Sequence, residues 1–308
     1  MHHLRKRLTV WAPAKVNLHL EVMDKRQDGF HNLESIFLTL LDFRDTLHFE
    51  LAEGEKTAEI TMEGLDLDLP VEKNIIYRAI CLFRERTGFA KGLKVTVEKR
   101  IPAGGGLGGG SSDAAAALLA LNEMAGYPLS RDALLEMAAE LGSDVPFFIY
   151  QTGAAHVTGR GEIIKKFSAP CLFFVLVNPG FPSDTAAAFR LHDEYRVKFN
   201  IPLAEARSRG EHGRFFDREK EVFSDPARWS FRNDFLPVFP DREKSAYNEI
   251  IGGLRELGAG FAGLSGAGST CFGVFTDSET AQRAAEALRG IWNFVEICGT
   301  RKLDNGGI

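Results

Sequence analysis

The chain has 308 residues, of which 44% are hydrophobic and 26% charged, with a formal net charge of −5. That composition is ordinary for a globular protein with ample core, organised as two domains or one large one. It argues against nucleic acid or an anionic membrane as principal partner, and no apolar run approaches the ~20 residues of a membrane span.

The basic N-terminus, Met1 to Arg7, is followed by too short an apolar stretch, Leu8 to Trp11, for a secretory leader. The four cysteines, Cys81, Cys171, Cys271 and Cys298, are scattered without C-x-x-C or metal-ligand spacing. They read as buried small hydrophobes in a reducing compartment, with the cytoplasm as default. Ala12 to Val22 alternates Lys15, Asn17, His19 and Glu21 with Val16, Leu18, Leu20 and Val22, so the four polar residues share one face of a strand. On composition alone that strand is half-solvated and Lys15 is a surface lysine.

Asp28-Gly29 is a turn, with Phe30 and His31 directly after it. An aromatic beside a histidine at a loop tip can stack on a flat ring and hydrogen-bond to its edge; equally, Phe30 can staple the loop to the core while His31 caps something local. Phe43 to Leu51 reads as another strand, Asp66 to Val71 as a loop, and Asn74 to Thr87 as an amphipathic helix closed by Gly88. Leu93 to Glu98 alternates apolar and polar residues, as in a strand of an antiparallel sheet with one face buried.

The densest signal is Pro102 to Gly126. Glycines from Gly104 to Gly110, interrupted only by Leu107, lead through Ser111 and Ser112 into an alanine-rich apolar segment. Glycine is costly in a regular element, and a run of it suits a backbone that must come close to something. Ser111 or Ser112 is a good N-cap, Asp113 suits the positive end of the helix dipole, and Gly126 sits where a left-handed residue closes the helix. A glycine loop feeding a helix N-terminus is an anion site, most often for phosphate.

Three known patterns compete for it. Gly104, Gly106 and Gly109 satisfy the dinucleotide fingerprint, but the preceding strand is not a buried parallel one, and Asp132 falls in the opening turn of the next helix. Gly105 and Gly110 have P-loop spacing, but Ser111 stands where the lysine belongs. The protein-kinase loop needs HRD and DFG motifs, which are absent. What remains is a lysine-free loop whose cation must come from elsewhere.

Ser130 caps a helix from Arg131 to Leu141. Asp144 follows at a tight break before the apolar Phe147 to Tyr150. It is either a turn-former or a carboxylate held at a poorly solvated corner, where it can accept a proton. Leu172 to Val177 reads as a strand and Thr185 to Arg190 as a helix, while Ala204 to Asp217 reads as the least ordered part. Phe231 to Phe235 opens a helical region that runs past Tyr247. Gly263 to Phe275 is a second glycine-serine loop, leading into a strand. A helix from Ser278 to Arg289 and a strand from Phe294 to Cys298 close an antiparallel sheet with helices on one face.

The loop PAGGGLGGGSSDAAAA resembles the phosphate loop of the GHMP small-molecule kinases. Within them, PAKVNLHLEV, DGFHNLESIF and GSDVPFF are similar to the family that phosphorylates 4-diphosphocytidyl-2-C-methyl-D-erythritol in the non-mevalonate isoprenoid pathway. KNIIYRA, FRNDF and LSGAGST extend the likeness over most of the chain. The resemblance implies a two-domain α+β fold with an active site in the interdomain cleft. Residues 1–160 would form a ribosomal-protein-S5-like N-terminal domain and 161–308 a ferredoxin-like C-terminal one.

It also implies ATP and Mg²⁺ as cofactors, with Lys15 as catalytic cation and Asp144 as general base for the substrate's 2-hydroxyl. Pro102, Ala103, Gly104, Gly105, Gly106, Leu107, Gly108, Gly109, Gly110, Ser111 and Ser112 would hold the ATP phosphates, with Asn74 and Lys99 near the adenosine. Asn17 would contact the substrate, Phe30 and His31 would hold its cytosine, and Phe181 would cover the other face. The expected partner is a cytidine diphosphate-linked methylerythritol, not nucleic acid or membrane, and the expected assembly is a monomer or weak homodimer. The family pattern has tyrosine where this chain has Phe30. Stacking survives that change, but a phenol hydrogen bond does not, so the cytidine end is expected to bind less tightly. The rivals are a GHMP kinase for mevalonate, homoserine or a sugar, and a non-catalytic nucleotide-binding protein on the same scaffold.

Overall fold

The structure, a computed structural model, describes residues 5–55, 57–64, 70–201 and 212–300. The loop expected at Asp66 to Val71 lies outside them except for its last two residues, as does the part of the expected least ordered stretch before His212. The described elements run β1 (Arg7–Lys25), β2 (His31–Glu55), β3 (Ala58–Gly64), α1 (Ile75–Thr87), β4 (Lys91–Lys99), α2 (Gly109–Met124), α3 (Arg131–Leu141) and α4 (Val145–Ile149). They continue as β5 (Ala154–Gly159), β6 (Ile163–Phe167), β7 (Phe173–Asn178), α5 (Thr185–Phe199), α6 (His212–Val222), α7 (Asp241–Glu256), β8 (Phe261–Leu264), β9 (Cys271–Phe275), α8 (Ser278–Arg289) and β10 (Phe294–Gly299). None of the described helices is long and apolar enough to cross a membrane.

Contacts divide the chain into two compact units. The first takes the described parts of Met1–Ala14, Arg44–Ala103 and Gly108–Gln151; the second takes those of Lys15–Phe43, Gly104–Leu107 and Thr152–Ile308. In the first unit β4 pairs antiparallel with β2 and parallel with β3, so its sheet is mixed rather than purely antiparallel. The alternation read from the sequence holds, with Leu93, Val95 and Val97 all buried. Asn74 Oδ1 accepts the Ile76 N–H to start α1, and Gly88, at φ +71°, ends it.

Helix α2 is buried nearly all round, and its run Ala114 to Ala117 supplies the small side chains this requires. It packs against α1, α3 and α4. Its N-cap is Gly108, at φ +70°, not Ser111 or Ser112. A left-handed glycine there lets the helix begin at Gly109 and takes both serines into its first turn. Ser130 caps α3 through Ala133 N–H, as its sequence indicates.

A buried ion triad ties this unit together. Lys99 Nζ, at the end of β4, donates to Asp45 Oδ2 on β2 at 2.5 Å and to Asp113 Oδ2 on α2 at 2.7 Å. Asp45 Oδ1 accepts the N–H groups of Arg100 and Ile101. Asp113 therefore serves Lys99 rather than the helix dipole alone.

The second unit contains the antiparallel ladder β2–β5–β6 and a four-stranded antiparallel sheet ordered β10-β7-β9-β8. Tyr247, Ile250, Ile251 and Leu254 of α7 join Ala281, Ala284, Ala285 and Leu288 of α8 in one core with Val175, Val177, Phe275 and Val295 of the sheet. This is the expected sheet with helices on one face. The region opened by Phe231 is not helical at first: α7 starts only at Asp241, after Pro240, and α5 runs on to Phe199. Proline's fixed φ and missing N–H favour that late start. The cysteine reading also needs correction, since Cys271 and Cys298 are buried but Cys81 and Cys171 are exposed; all four are free thiols.

Replacing Lys99 by methionine leaves two buried carboxylates facing each other without their cation. We expect a loss of about 3–5 kcal/mol of stability, read by urea denaturation; a loss below about 1 kcal/mol would mean the triad is not a structural tie.

Candidate active site

The glycine loop is held by its carbonyls. Gly104 O accepts from the N–H groups of Ser183 and Ser269, Gly105 O from Thr270 N–H, Gly106 O from Ser265 Oγ, and Leu107 O from Lys15 N–H. A planar trans peptide points its C=O and the following N–H in opposite directions. Four anchored carbonyls thus turn the N–H groups of Gly105, Gly106, Leu107 and Gly108 to the other side of the loop. Among the described residues none of those four donates to a protein acceptor.

The glycines make this possible. Gly104, Gly106 and Gly108 have φ of +64°, +74° and +70°. A Cβ on Gly106 would lie 2.0 Å from Ser265 O, because the 265–270 loop between β8 and β9 runs against it backbone to backbone. Asn233 Nδ2 secures that second loop by donating to Leu264 O and Gly266 O.

In the first unit, Ser112 Oγ in the opening turn of α2 is buried and has no hydrogen-bond partner. Buried hydroxyls are normally satisfied, so an unpaired one at a helix N-terminus marks a place for a ligand oxygen. Asp144 precedes α4, whose side chains are all buried and which packs on α2. It makes no capping bond to its own helix and is half-buried.

Lys99 and Asn74, expected beside the adenosine, both hold structural bonds: Lys99 is 6% exposed within its triad, and Asn74 caps α1. Burial, together with the neighbouring Asp45 carboxylate, pushes the Asp113 carboxyl up to about 7 against the pull of Lys99.

In the second unit, the polar face of β1 is buried rather than half-solvated. Lys15 is 3% exposed. Its Nζ donates to Asn17 Oδ1 at 2.5 Å and lies 4.7 Å from the centre of the Phe37 ring. Asn17 Nδ2 donates to Ser35 Oγ, which donates to His19 O. Burial pulls the His19 imidazole below its ordinary value. Its Nδ1 accepts Arg232 N–H, which leaves the hydrogen on Nε2, facing Glu21 at 3.6 Å. Burial opposes charge on Glu34, yet the hydrogen bond and charge of His156 bring its carboxyl down to about 2.

Phe30 is half-exposed at the turn, with the Arg160 guanidinium 5.0 Å from its ring centre. His31 is buried, and the ring stacked on it is Phe189. Phe181 meets Tyr247, at 5.9 Å between ring centres. Sequence reasoning missed Ser265, Asn233 and Phe189. For Ser265 and Asn233 there was a signal, since both lie in motifs that carried the family resemblance.

Models of the GHMP kinases N terminal domain and of the GHMP kinases C terminal match residues 74–152 and 220–293. A 4-diphosphocytidyl-2-C-methyl-D-erythritol kinase of Syntrophotalea carbinolica is 38% identical over 278 residues, covering 90% of this chain and 92% of that protein. The chain belongs to the 4-diphosphocytidyl-2-C-methyl-D-erythritol kinase family of GHMP kinases. A crystal structure of a 4-(cytidine 5'-diphospho)-2C-methyl-D-erythritol kinase superposes with a TM-score of 0.75 at 31% identity, covering 95% of this chain and 98% of that one. Mevalonate kinase of L. major, at 14% identity and a TM-score of 0.70 over 97% and 98% of the two chains, shares the fold. GHMP kinases are ATP-dependent phosphotransferases.

The raised Asp113 value gives a signed prediction. The folded state holds that proton more tightly than the unfolded chain does. Its contribution to stability is therefore full below about 4 and is lost as pH rises through about 7. Asp113→Asn should flatten the fall in urea midpoint between pH 5 and pH 8. An unchanged slope would show that Asp113 is ionised throughout.

Proposed function

We propose that this chain transfers the γ-phosphate of ATP to the 2-hydroxyl of 4-diphosphocytidyl-2-C-methyl-D-erythritol, giving the 2-phosphate and ADP. The observation that supports this reading is the glycine loop whose carbonyls are bonded while its N–H groups donate to no protein acceptor among the described residues. The family's relatives, named for that substrate, supply the specificity.

Each residue has a task. The N–H groups from Gly105 to Gly108, the first turn of α2 and the Ser112 hydroxyl hold the phosphates, and Pro102, Ala103, Gly104, Gly109, Gly110 and Ser111 shape the loop around them. Lys15 supplies the cation that the loop lacks, its ammonium aimed by Asn17. Asp144 accepts the hydroxyl proton as that oxygen bonds to phosphorus; the bond from phosphorus to the bridging oxygen breaks, and ADP leaves with the electron pair. Such a transfer depends mostly on positioning and charge stabilisation. Mg²⁺, a hard cation suited to the nucleotide's own phosphate oxygens and to serine hydroxyls, would offset their charge. Phe30, His31 and Phe181 are the cytidine contacts. Lys99 and Asn74 act on the adenosine side through the β4 and α1 ends they fix. The reaction suits a cytoplasmic enzyme, working as a monomer or weak homodimer.

The test is ADP release with this substrate, with mevalonate and with homoserine, for wild type, Lys15→Ala and Asp144→Ala. Turnover of the cytidylated substrate alone is expected, with each variant reduced by roughly 10²–10⁴-fold. Activity on mevalonate or homoserine instead would overturn the substrate. Full activity in Asp144→Ala would remove the base from that residue.

A further inference from the structure

His31, the first residue of β2, is gripped from α5 in two ways. Phe189 and Asp193 lie four residues apart and so share one face of that helix. The Phe189 ring stacks on the imidazole, with centres 5.1 Å apart and planes at 12°. Asp193 Oδ1 is 2.8 Å from His31 Nε2. The other carboxylate oxygen accepts from Lys25 Nζ at 2.9 Å. Lys25 ends β1 on the opposite side of the Asp28-Gly29 turn, which the Arg26 N–H to Phe30 O bond closes. One carboxylate on a distant helix therefore ties together both ends of the turn that carries Phe30 and His31.

This arrangement fixes more than position. Burial opposes charge on Asp193, but the hydrogen bonds from Lys25 and His31 hold its carboxyl below the usual range, so it is an acceptor at neutral pH. A carboxylate can only accept, so the hydrogen of a neutral His31 sits on Nε2 and the lone pair is on Nδ1. Nδ1 has no hydrogen-bond partner among the described residues. A lone pair there attracts an amino group and repels a carbonyl oxygen. Cytosine carries an amino group at position 4, where uracil carries an oxygen.

We propose that Asp193 is a positioning residue that, with Phe189, locks the His31 tautomer and thereby makes the site prefer cytosine over uracil. This rests on the reading above that His31 meets the base. Nothing in the local sequence suggests it, because Asp193 lies 162 positions from His31.

The test is calorimetric titration of CMP and UMP into the full chain. The proteins are wild type, Asp193→Ala, Asp193→Asn, His31→Ala and the His31→Ala/Asp193→Ala double variant, with ¹⁵N NMR of the His31 ring in the absence of ligand. Asp193→Ala should weaken CMP by roughly tenfold, as for loss of a charge-assisted hydrogen bond, and shrink the CMP-over-UMP preference. Asp193→Asn, whose amide oxygen still accepts, should retain part of both. In the His31→Ala background, removing Asp193 should cost nothing further. The wild-type ring should show hydrogen on Nε2, and the Asp193→Ala ring a mixture of tautomers. If His31→Ala abolishes the preference while Asp193→Ala keeps it, Asp193 is only structural and the proposal falls. Unchanged CMP affinity in His31→Ala would instead overturn the reading of His31 as a base contact, and the proposal with it.

Discussion

Two glycine loops laid backbone against backbone set the terms for the rest of this molecule. The 104–107 carbonyls are all used by protein donors, three from the 265–270 loop together with the Ser183 and Lys15 N–H groups. Because a peptide is planar, anchoring one side of it dictates what the other side offers. The row of outward N–H groups is thus a consequence of how the loop is held, and no lysine within the loop is required. One of these bonds joins Lys15 to Leu107, so the proposed cation and the proposed cradle are tied by a direct backbone contact.

The two units use charge in related ways, fully buried in the first and partly exposed in the second. In the first, Lys99 draws Asp45 and Asp113 together from a strand and a helix, directly behind the opening turn that carries Ser112. In the second, Asp193 draws Lys25 and His31 together around a turn. A buried ion pair adds little net stability against an apolar replacement, but losing one partner is costly. Such a device suits places where geometry matters more than total stability, and both lie next to residues that carry the proposed chemistry.

Much of this was legible in the sequence, and the failures have physical reasons. The Arg131–Leu141 helix with its Ser130 cap, the Ser278–Arg289 helix and the alternating strand at Leu93 were read from local signals, which short-range hydrogen bonds and periodicity encode. The start of α2 was misplaced because serine is the commoner cap, whereas here a left-handed glycine begins the helix earlier. Burial of the Lys15-Asn17-His19-Glu21 face was not visible, since alternation reports which residues share a face and not what covers it. Partners in the ion networks lie 14 to 168 positions apart, beyond any local pattern. The family resemblance supplied roles for Lys15 and Asp144 that spacing alone left open.

The central claim is that the backbone N–H groups of this loop are the phosphate donors. It is tested most directly by following the amide resonances of Gly105, Gly106, Leu107 and Gly108 by ¹H–¹⁵N NMR as ATP is added. Hydrogen bonds to a charged phosphate should move these four amide protons downfield together, and saturably, while the Ser269 and Thr270 amides, already bonded to the loop, move little. If ATP binds and the four amides stay in place, the nucleotide phosphates are held elsewhere and the account of this loop is wrong.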